Sequence, residues 1–319
     1  MNVNLSIAQE IIRMALRSGA IEIAPNYAQP LSCKKGKVLL LNNKSKHLSK
    51  LKEWKMLIPA FVKLINSQGI KYDYIVGTAT AGIPWASLLA QELNMPLCVL
   101  NDEKLIQIDS FTKIDIAKAS TCDVIACNAP MGIPIGMHIA KQSNKPLVYI
   151  REFEHLFGKM VEGEYFDGQT AYLIEDSLNG EMNTLRNEKL LHDVGINLLL
   201  GFGRSKKTVI APKNKKFLLI DDLLTNGGSF DEAITIRKME GIVEHMLTLF
   251  DQSTNIALAK KKELGLHVHA IVTMEDILDI ATKEGRLEPG LAERYAEDLL
   301  NGTITADELV ETPEEELVS

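Results

Sequence analysis

The chain has 319 residues, 46% apolar and 24% charged, a composition that fits a globular protein of one large or two modest domains. Its net charge of −7 is uneven: residues 283–319 hold eleven acids against Lys283, Arg286 and Arg294, which leaves the body near +1. That balance excludes a general nucleic-acid surface, and no run approaches the roughly 18–20 apolar residues that span a bilayer. The first six residues lack the basic and apolar regions of a signal peptide, and Cys33, Cys98, Cys122 and Cys127 form no Cys-x-x-Cys pair. A cytoplasmic protein with reduced, mostly buried thiols is expected, with a solvated acidic extension over residues 283–319.

In chain order, Ser6 and Gln9 suit a capping box. Ile7, Ile11, Met14 and Ala15 then recur at helical spacing up to Gly19. Residues 30–42 suggest a hairpin turning near Lys35-Gly36. A helix is expected over Leu48–Ser67, with Trp54, Leu57, Phe61 and Leu64 as its core stripe. Residues 73–84 read Asp-Tyr-Ile-Val-Gly-Thr-Ala-Thr-Ala-Gly-Ile-Pro, a strand, a small-residue loop and the start of a helix through Leu93. Backbone N–H groups of such a loop converge on an anion. A short strand follows at Pro96–Leu100.

The chain then repeats itself. Residues 123–152 preserve the Asp, Ile, Ala, Gly-Ile-Pro and later Pro-Leu of 73–102. Residues 168–181 echo 214–228, with Glu181 where a small residue would cup a phosphate, and Gly195–Leu200 reads as another strand. At Phe217–Ile220 four apolar residues form a buried strand ending on Asp221 and Asp222. Thr225-Asn226-Gly227-Gly228-Ser229 then turns into a helix over Asp231–Met239. N–H donors and hydroxyls at that turn suit a phosphate, while adjacent acids suit sugar hydroxyls or a metal. Together they describe a site for a ribose 5-phosphate. Farther on, a strand is expected over His245–Phe250, then a helix through Leu264. His267 and His269 share one face of a strand, better read as a structural pair than a metal site because no third ligand is placed. Helices are expected over Met274–Ala281, Leu287–Leu300 and Ala306–Leu309.

The 217–230 stretch resembles the PRPP (5-phosphoribosyl 1-diphosphate) motif of the type I phosphoribosyltransferases, with the two acids, Thr and Gly-Gly-Ser in that family's order. Gly77–Pro84 resembles the pyrophosphate loop of the bacterial orotate phosphoribosyltransferases. Residues 246–276 resemble that group's C-terminal strands, including Asp251-Gln252. The resemblance covers most of 5–100 and 214–282, with an imperfect second pass through 123–206. It implies an α/β fold, an open parallel sheet flanked by helices, with an inserted second α/β core. The motif order (intact, degraded, degraded, intact) fits nesting: an outer domain of 1–100 plus 214–282, and an inserted degenerate core of 101–213.

By this resemblance a base nitrogen attacks ribose C1 of PRPP and pyrophosphate leaves. The reaction would make a pyrimidine nucleotide from orotate or a related base. Asp221 and Asp222 would orient the ribose, and Thr225, Asn226, Gly227, Gly228 and Ser229 would hold the 5-phosphate. Thr78, Ala79, Thr80, Ala81 and Gly82 would line the pyrophosphate, whose Mg2+ is held mainly by PRPP oxygens. The family's cationic catalytic loop is matched by Arg151 and Lys159, with His155 where its main Lys stands and Phe157 where its His stands. Gln252 stands where the family's orotate-carboxylate Arg would be. A nested core acting as an internal pseudo-dimer would present Arg151, His155 and Lys159 over the outer site, and Arg151→Ala should lower turnover with folding intact. A homodimer is the other arrangement, and neither a nucleic acid nor a membrane is an expected partner. Two alternatives stay open: a non-catalytic PRPP- or nucleotide-binding regulatory protein, and a salvage phosphoribosyltransferase for another base.

Overall fold

The computed structural model describes residues 5–29, 31–33, 36–38, 40–42, 51–101, 104–108, 116–151, 160–175, 181–203, 209–210, 213–225, 228–252, 254–301 and 305–306. The chain opens with α1 (Leu5–Ser18), β1 (Ile21–Ile23), the hairpin β2 (Leu31–Cys33) and β3 (Gly36–Val38), then β4 (Leu40–Asn42) and α2 (Leu51–Gln68). Next come β5 (Tyr74–Gly77), α3 (Ile83–Leu93), β6 (Leu97–Asn101) and β7 (Lys104–Ile108). A second unit comprises α4 (Ile116–Thr121), β8 (Val124–Asn128), α5 (Ile133–Ser143), β9 (Leu147–Ile150), β10 (Val161–Glu162), β11 (Thr170–Glu175), α6 (Glu181–Asp193) and β12 (Asn197–Gly203). The chain then returns through β13 (Val209–Ile210), β14 (Lys216–Leu224), α7 (Gly228–Lys238), β15 (Ile242–Asp251), α8 (Asn255–Leu264) and β16 (His267–Thr273). It closes with α9 (Met274–Lys283), α10 (Ala292–Leu300) and β17 (Thr305–Ala306).

A seven-stranded sheet runs in the order β13-β7-β6-β5-β14-β15-β16, and a five-stranded one in the order β10-β9-β8-β11-β12. In the first, β6, β5, β14, β15 and β16 are parallel and β7 is antiparallel to its neighbours. In the second, β9, β8, β11 and β12 are parallel and β10 is antiparallel. The smaller sheet thus has the order and directions of β7-β6-β5-β14-β15, and all its strands fall in sequence between β7 and β13. The architecture is an α/β fold of parallel sheets flanked by helices, with an additional α/β core.

Alternation along the strands sets the layers. Ile75 enters the main core, while Val76 joins a separate cluster with Phe230, Ala233 and Ile236 of α7. Ile125 and Cys127 likewise face the main core, and Val124 and Ala126 pack with Leu191 of α6. Helices α3 and α5 pack on one another between the two sheets. Each begins after a glycine (Gly82, Gly132) with Ile-Pro and ends on an asparagine in the left-handed region, Asn94 at φ 51° and Asn144 at φ 55°. The repeated aspartates share a task. Asp73 Oδ2 accepts from Lys216 N at 2.9 Å, and Asp123 Oδ2 from Thr170 N at 2.8 Å, each tying the first strand of its unit to a neighbour.

Several boundaries differ from expectation. Helix α1 already includes Leu5, so Ser6 lies inside it instead of capping it. Strand β14 does not end on the acids but continues past both to Leu224, because pairing with β15 persists to Asp251. Thr305–Ala306 is a strand paired with β4, not the start of a helix. The stretch after residue 283 is only partly solvated. Tyr295 and Leu287 are buried in the main core, and Tyr295 Oη donates to Ala24 O at 3.2 Å. Cys98, Cys122 and Cys127 are buried free thiols.

Candidate active site at two adjacent strand ends

Strands β5 and β14 are parallel neighbours, with Gly77 opposite Ile220. The loops that follow them therefore leave the same sheet edge side by side, where ligands of open α/β sheets bind. Thr78 joins the two. Its N–H donates to Ile220 O at 2.9 Å, and its hydroxyl lies 2.7 Å from Asp221 Oδ1 and 3.2 Å from Ile220 O. Gly82 closes the loop against the same carbonyl. A Cβ there would stand 2.2 Å from Ile220 O and 2.4 Å from Thr78 Oγ1, so only glycine fits this approach.

The two acids have different surroundings. Asp221 Oδ1 accepts from Thr78 and, at 2.9 Å, from Asp222 N, while its Oδ2 accepts from Ser229 Oγ. It is a buried junction between the first loop, β14 and the N-terminus of α7. The Asp222 carboxylate, in a residue 4% exposed, makes no hydrogen bond among the described residues. Of this pair it is the group left for a ligand. Thr225 is anchored through its carbonyl, which accepts from Thr254 Oγ1 at 2.7 Å, and Gly228 opens α7. Asn226 and Gly227 lie outside the described residues.

Glu232 belongs to this site and was missed in the sequence. Its Oε1 accepts from Ala79 N at 2.7 Å, linking α7 to the loop of Thr78, Ala79, Thr80, Ala81 and Gly82. Burial pushes its carboxyl up to about 8, against the lowering by the Ala79 N–H, and the Asp221 charge adds to the rise. The available signal was spacing: Glu232 follows Ser229 by three positions and so shares its helix face. Nearby, Asp251 is paired with Lys261 at 2.6 Å, and Gln252 is 2% exposed with both side-chain polar atoms unpartnered among the described residues. Gln252 N donates to Leu224 O at 3.0 Å, which sets the residue beside the end of β14.

Of the loop candidates, only Arg151 is among the described residues. Arg151 follows β9 in the smaller sheet, its guanidinium 3.0 Å from Glu162 Oε1 and its carbonyl accepting from Arg186. His155 and Lys159 fall outside the described residues, as do residues 176–180 of the degraded motif. Arg151 and Glu162 side chains are 12% and 1% exposed, so Arg151→Ala would remove one member of a buried ion pair as well as a candidate loop cation. His267 and His269 have a third neighbour, His245, whose Nδ1 is 3.1 Å from His269 Nε2 and whose ring stacks on His267 at 5.3 Å.

No set of three or more His, Cys, Asp or Glu residues among the described residues has the geometry of a metal centre. With Asp221 already engaged, Asp222 is the acid that fits a Mg2+ brought in on phosphate oxygens. No described helix is long and apolar enough to cross a membrane.

No family model matches the chain. Among curated proteins it is similar to orotate phosphoribosyltransferase from Streptococcus agalactiae serotype III (strain NEM316), 29% identical over 123 residues, 38% of this chain and 58% of the relative. The enzyme of the same name from Acinetobacter baumannii (strain AB307-0294) is 30% identical over 141 residues, 42% of this chain and 62% of the relative. That from Coxiella burnetii (strain RSA 493 / Nine Mile phase I) is 46% identical over 43 residues, 14% and 21%. The chain spans about three-fifths of the length of the first two relatives. Among solved structures, orotate phosphoribosyltransferase from Aeropyrum pernix aligns with a TM-score of 0.43 at 12% identity, covering 85% of this chain and 97% of that one. Leishmania donovani UMP synthase aligns with a TM-score of 0.45 at 14% identity, covering 94% and 42%. The sequence relationship of this chain is with orotate phosphoribosyltransferases, enzymes of the type I phosphoribosyltransferase family, over part of its length.

Proposed function

We propose that this protein transfers ribose 5-phosphate from PRPP to orotate or a related pyrimidine-like base, releasing pyrophosphate, in the cytoplasm. The observation that supports the reading is the Thr78–Asp221–Ser229 chain of hydrogen bonds, which joins the two loops next to Asp222, a carboxylate with no hydrogen bond among the described residues. The residue types of the two loops and the acid suit a molecule with a phosphate at one end, a diphosphate at the other and a sugar diol between. The loop of Thr225, Asn226, Gly227, Gly228 and Ser229 would take the 5-phosphate, and the Thr78–Gly82 loop the pyrophosphate. Asp222 would hold the ribose hydroxyls and face the anomeric carbon.

In the reaction a base nitrogen forms a bond to C1 as the bond from C1 to the diphosphate oxygen breaks. Pyrophosphate departs with that electron pair. Positive charge develops at C1 and negative charge on the leaving group, so the protein's task is orientation and electrostatic stabilisation. Mg2+ bound through PRPP would supply charge neutralisation on the diphosphate. Asp221 would keep the loops in register, with Arg151, His155 and Lys159 as candidate cations for the leaving group.

The shared strand order of the two sheets supports reading residues 101–213 as a degenerate copy inserted into an outer domain of 1–100 plus 214–282. The α3–α5 contact supports an internal pseudo-dimer. Gln252 favours a second reading of the substrate, as an amide suits a base edge with one donor and one acceptor better than a carboxylate. The test is purified protein with Mg2+, PRPP and a panel of pyrimidine bases, following pyrophosphate release. Release with orotate supports the first reading, and release with another base alone supports the second. PRPP binding without turnover would identify a regulatory protein and overturn both.

A further inference from the structure

Glu232 leaves a polar atom unaccounted for. Its Oε1 is used by the Ala79 N–H, but its Oε2 is shut off from solvent and has no hydrogen-bond partner among the described residues. A buried carboxylate oxygen without a donor is costly, and the charged side chain acting on this carboxyl is Asp221, also an acid. The carboxyl accordingly favours its neutral form, with burial as the main cause. With Oε1 accepting, the proton sits on Oε2, an O–H buried beside the first loop without an acceptor. A phosphate oxygen is a strong acceptor of such a hydrogen bond.

We propose that Glu232 is a binding residue for the diphosphate end of the donor, fixing the Ala79 amide through Oε1 and donating a hydrogen bond from Oε2 to a diphosphate oxygen. This rests on the phosphoribosyl reading above and adds a residue to it. A neutral acid serves here where a carboxylate would repel the ligand. It also connects the two loops across the cleft, since Glu232 and Ser229 project from the same turn of α7.

The test is calorimetric titration of the full chain with inorganic pyrophosphate plus Mg2+, and separately with ribose 5-phosphate. Glu232→Gln keeps an acceptor for Ala79 and an N–H donor for the ligand, so its pyrophosphate affinity should stay within about threefold of wild type. Glu232→Ala should weaken pyrophosphate by about tenfold or more and leave ribose 5-phosphate unchanged, with circular dichroism confirming the fold. The proposal is overturned if Glu232→Ala binds pyrophosphate normally, if it weakens both ligands alike, or if Glu232→Gln fails as Glu232→Ala does. A wild-type chain that binds neither pyrophosphate nor PRPP removes the phosphoribosyl reading itself, and this proposal with it.

Discussion

The Thr78 hydroxyl meets Asp221 Oδ1 at 2.7 Å across 143 positions of sequence. This buried contact joins the ends of two parallel strands, and Asp221 takes a further hydroxyl from Ser229 on its other oxygen. One carboxylate therefore ties both loops together, while its buried neighbour, Asp222, makes no hydrogen bond among the described residues.

The adjacent acids should separate in mutagenesis. Asp221→Ala removes the acceptor of the Ser229 hydroxyl and the Asp222 N–H and leaves the Thr78 hydroxyl only Ile220 O, and hydrogen bonds to a charged group are worth about 1.5–3 kcal/mol each. Its loss should lower the denaturant midpoint and weaken PRPP binding together. Asp222→Asn breaks no described bond and should keep the midpoint while turnover falls by at least about a hundredfold. Equal stability losses in the two variants would refute this division of labour.

What could be read from the sequence was local. The two loops are short contiguous patterns, and α3 ends at Leu93 as expected because Asn94 in the left-handed region stops it. The repeated Gly-Ile-Pro pointed to two similar units for the same reason. Glu232 escaped notice because the amide that gives it meaning lies 153 residues away. Edge strands such as β13 and β10 carry little periodicity of their own and form by pairing with a neighbour already in place. The acids lie inside β14 because β15 extends the ladder beneath them, something no window around 217–224 contains.

Arg151→Ala should act on stability before it acts on chemistry. Removing one member of a buried ion pair costs about 3–5 kcal/mol, here by leaving Glu162 in the smaller sheet without its guanidinium. A double variant, Arg151→Met with Glu162→Leu, should recover most of the lost stability, since apolar pairs replace buried ion pairs well. Turnover of that double variant then reports whether Arg151 has a further role at the outer site. Thermal melts showing Arg151→Ala as stable as wild type would contradict this account.

The histidine cluster predicts an acid-side loss of stability. Burial, then the charges of His245 and His267, hold His269 down at about 4 in the fold, against 6.5 ordinarily. Between those values the unfolded chain binds more protons, so stability rises with pH across that window and falls as pH drops from about 6.5 toward 4. Urea midpoints at pH 7.5 and pH 5 should differ for wild type and converge for His269→Gln. An unchanged difference in the variant would exonerate the cluster.

Gln252 offers the sharpest test of substrate choice, because its side chain is a burden unless something binds it. Both its polar atoms are buried without partners among the described residues, and leaving such groups unmet costs about 1–3 kcal/mol. Gln252→Met keeps the volume and removes the unmet amide, so the free protein should become more stable. If the amide reads the base, the same change should raise KM for the base while KM for PRPP stays constant. Stabilisation with unchanged KM for every base would show that the amide does not touch the substrate, and specificity would have to be sought on the N-terminal side of the cleft.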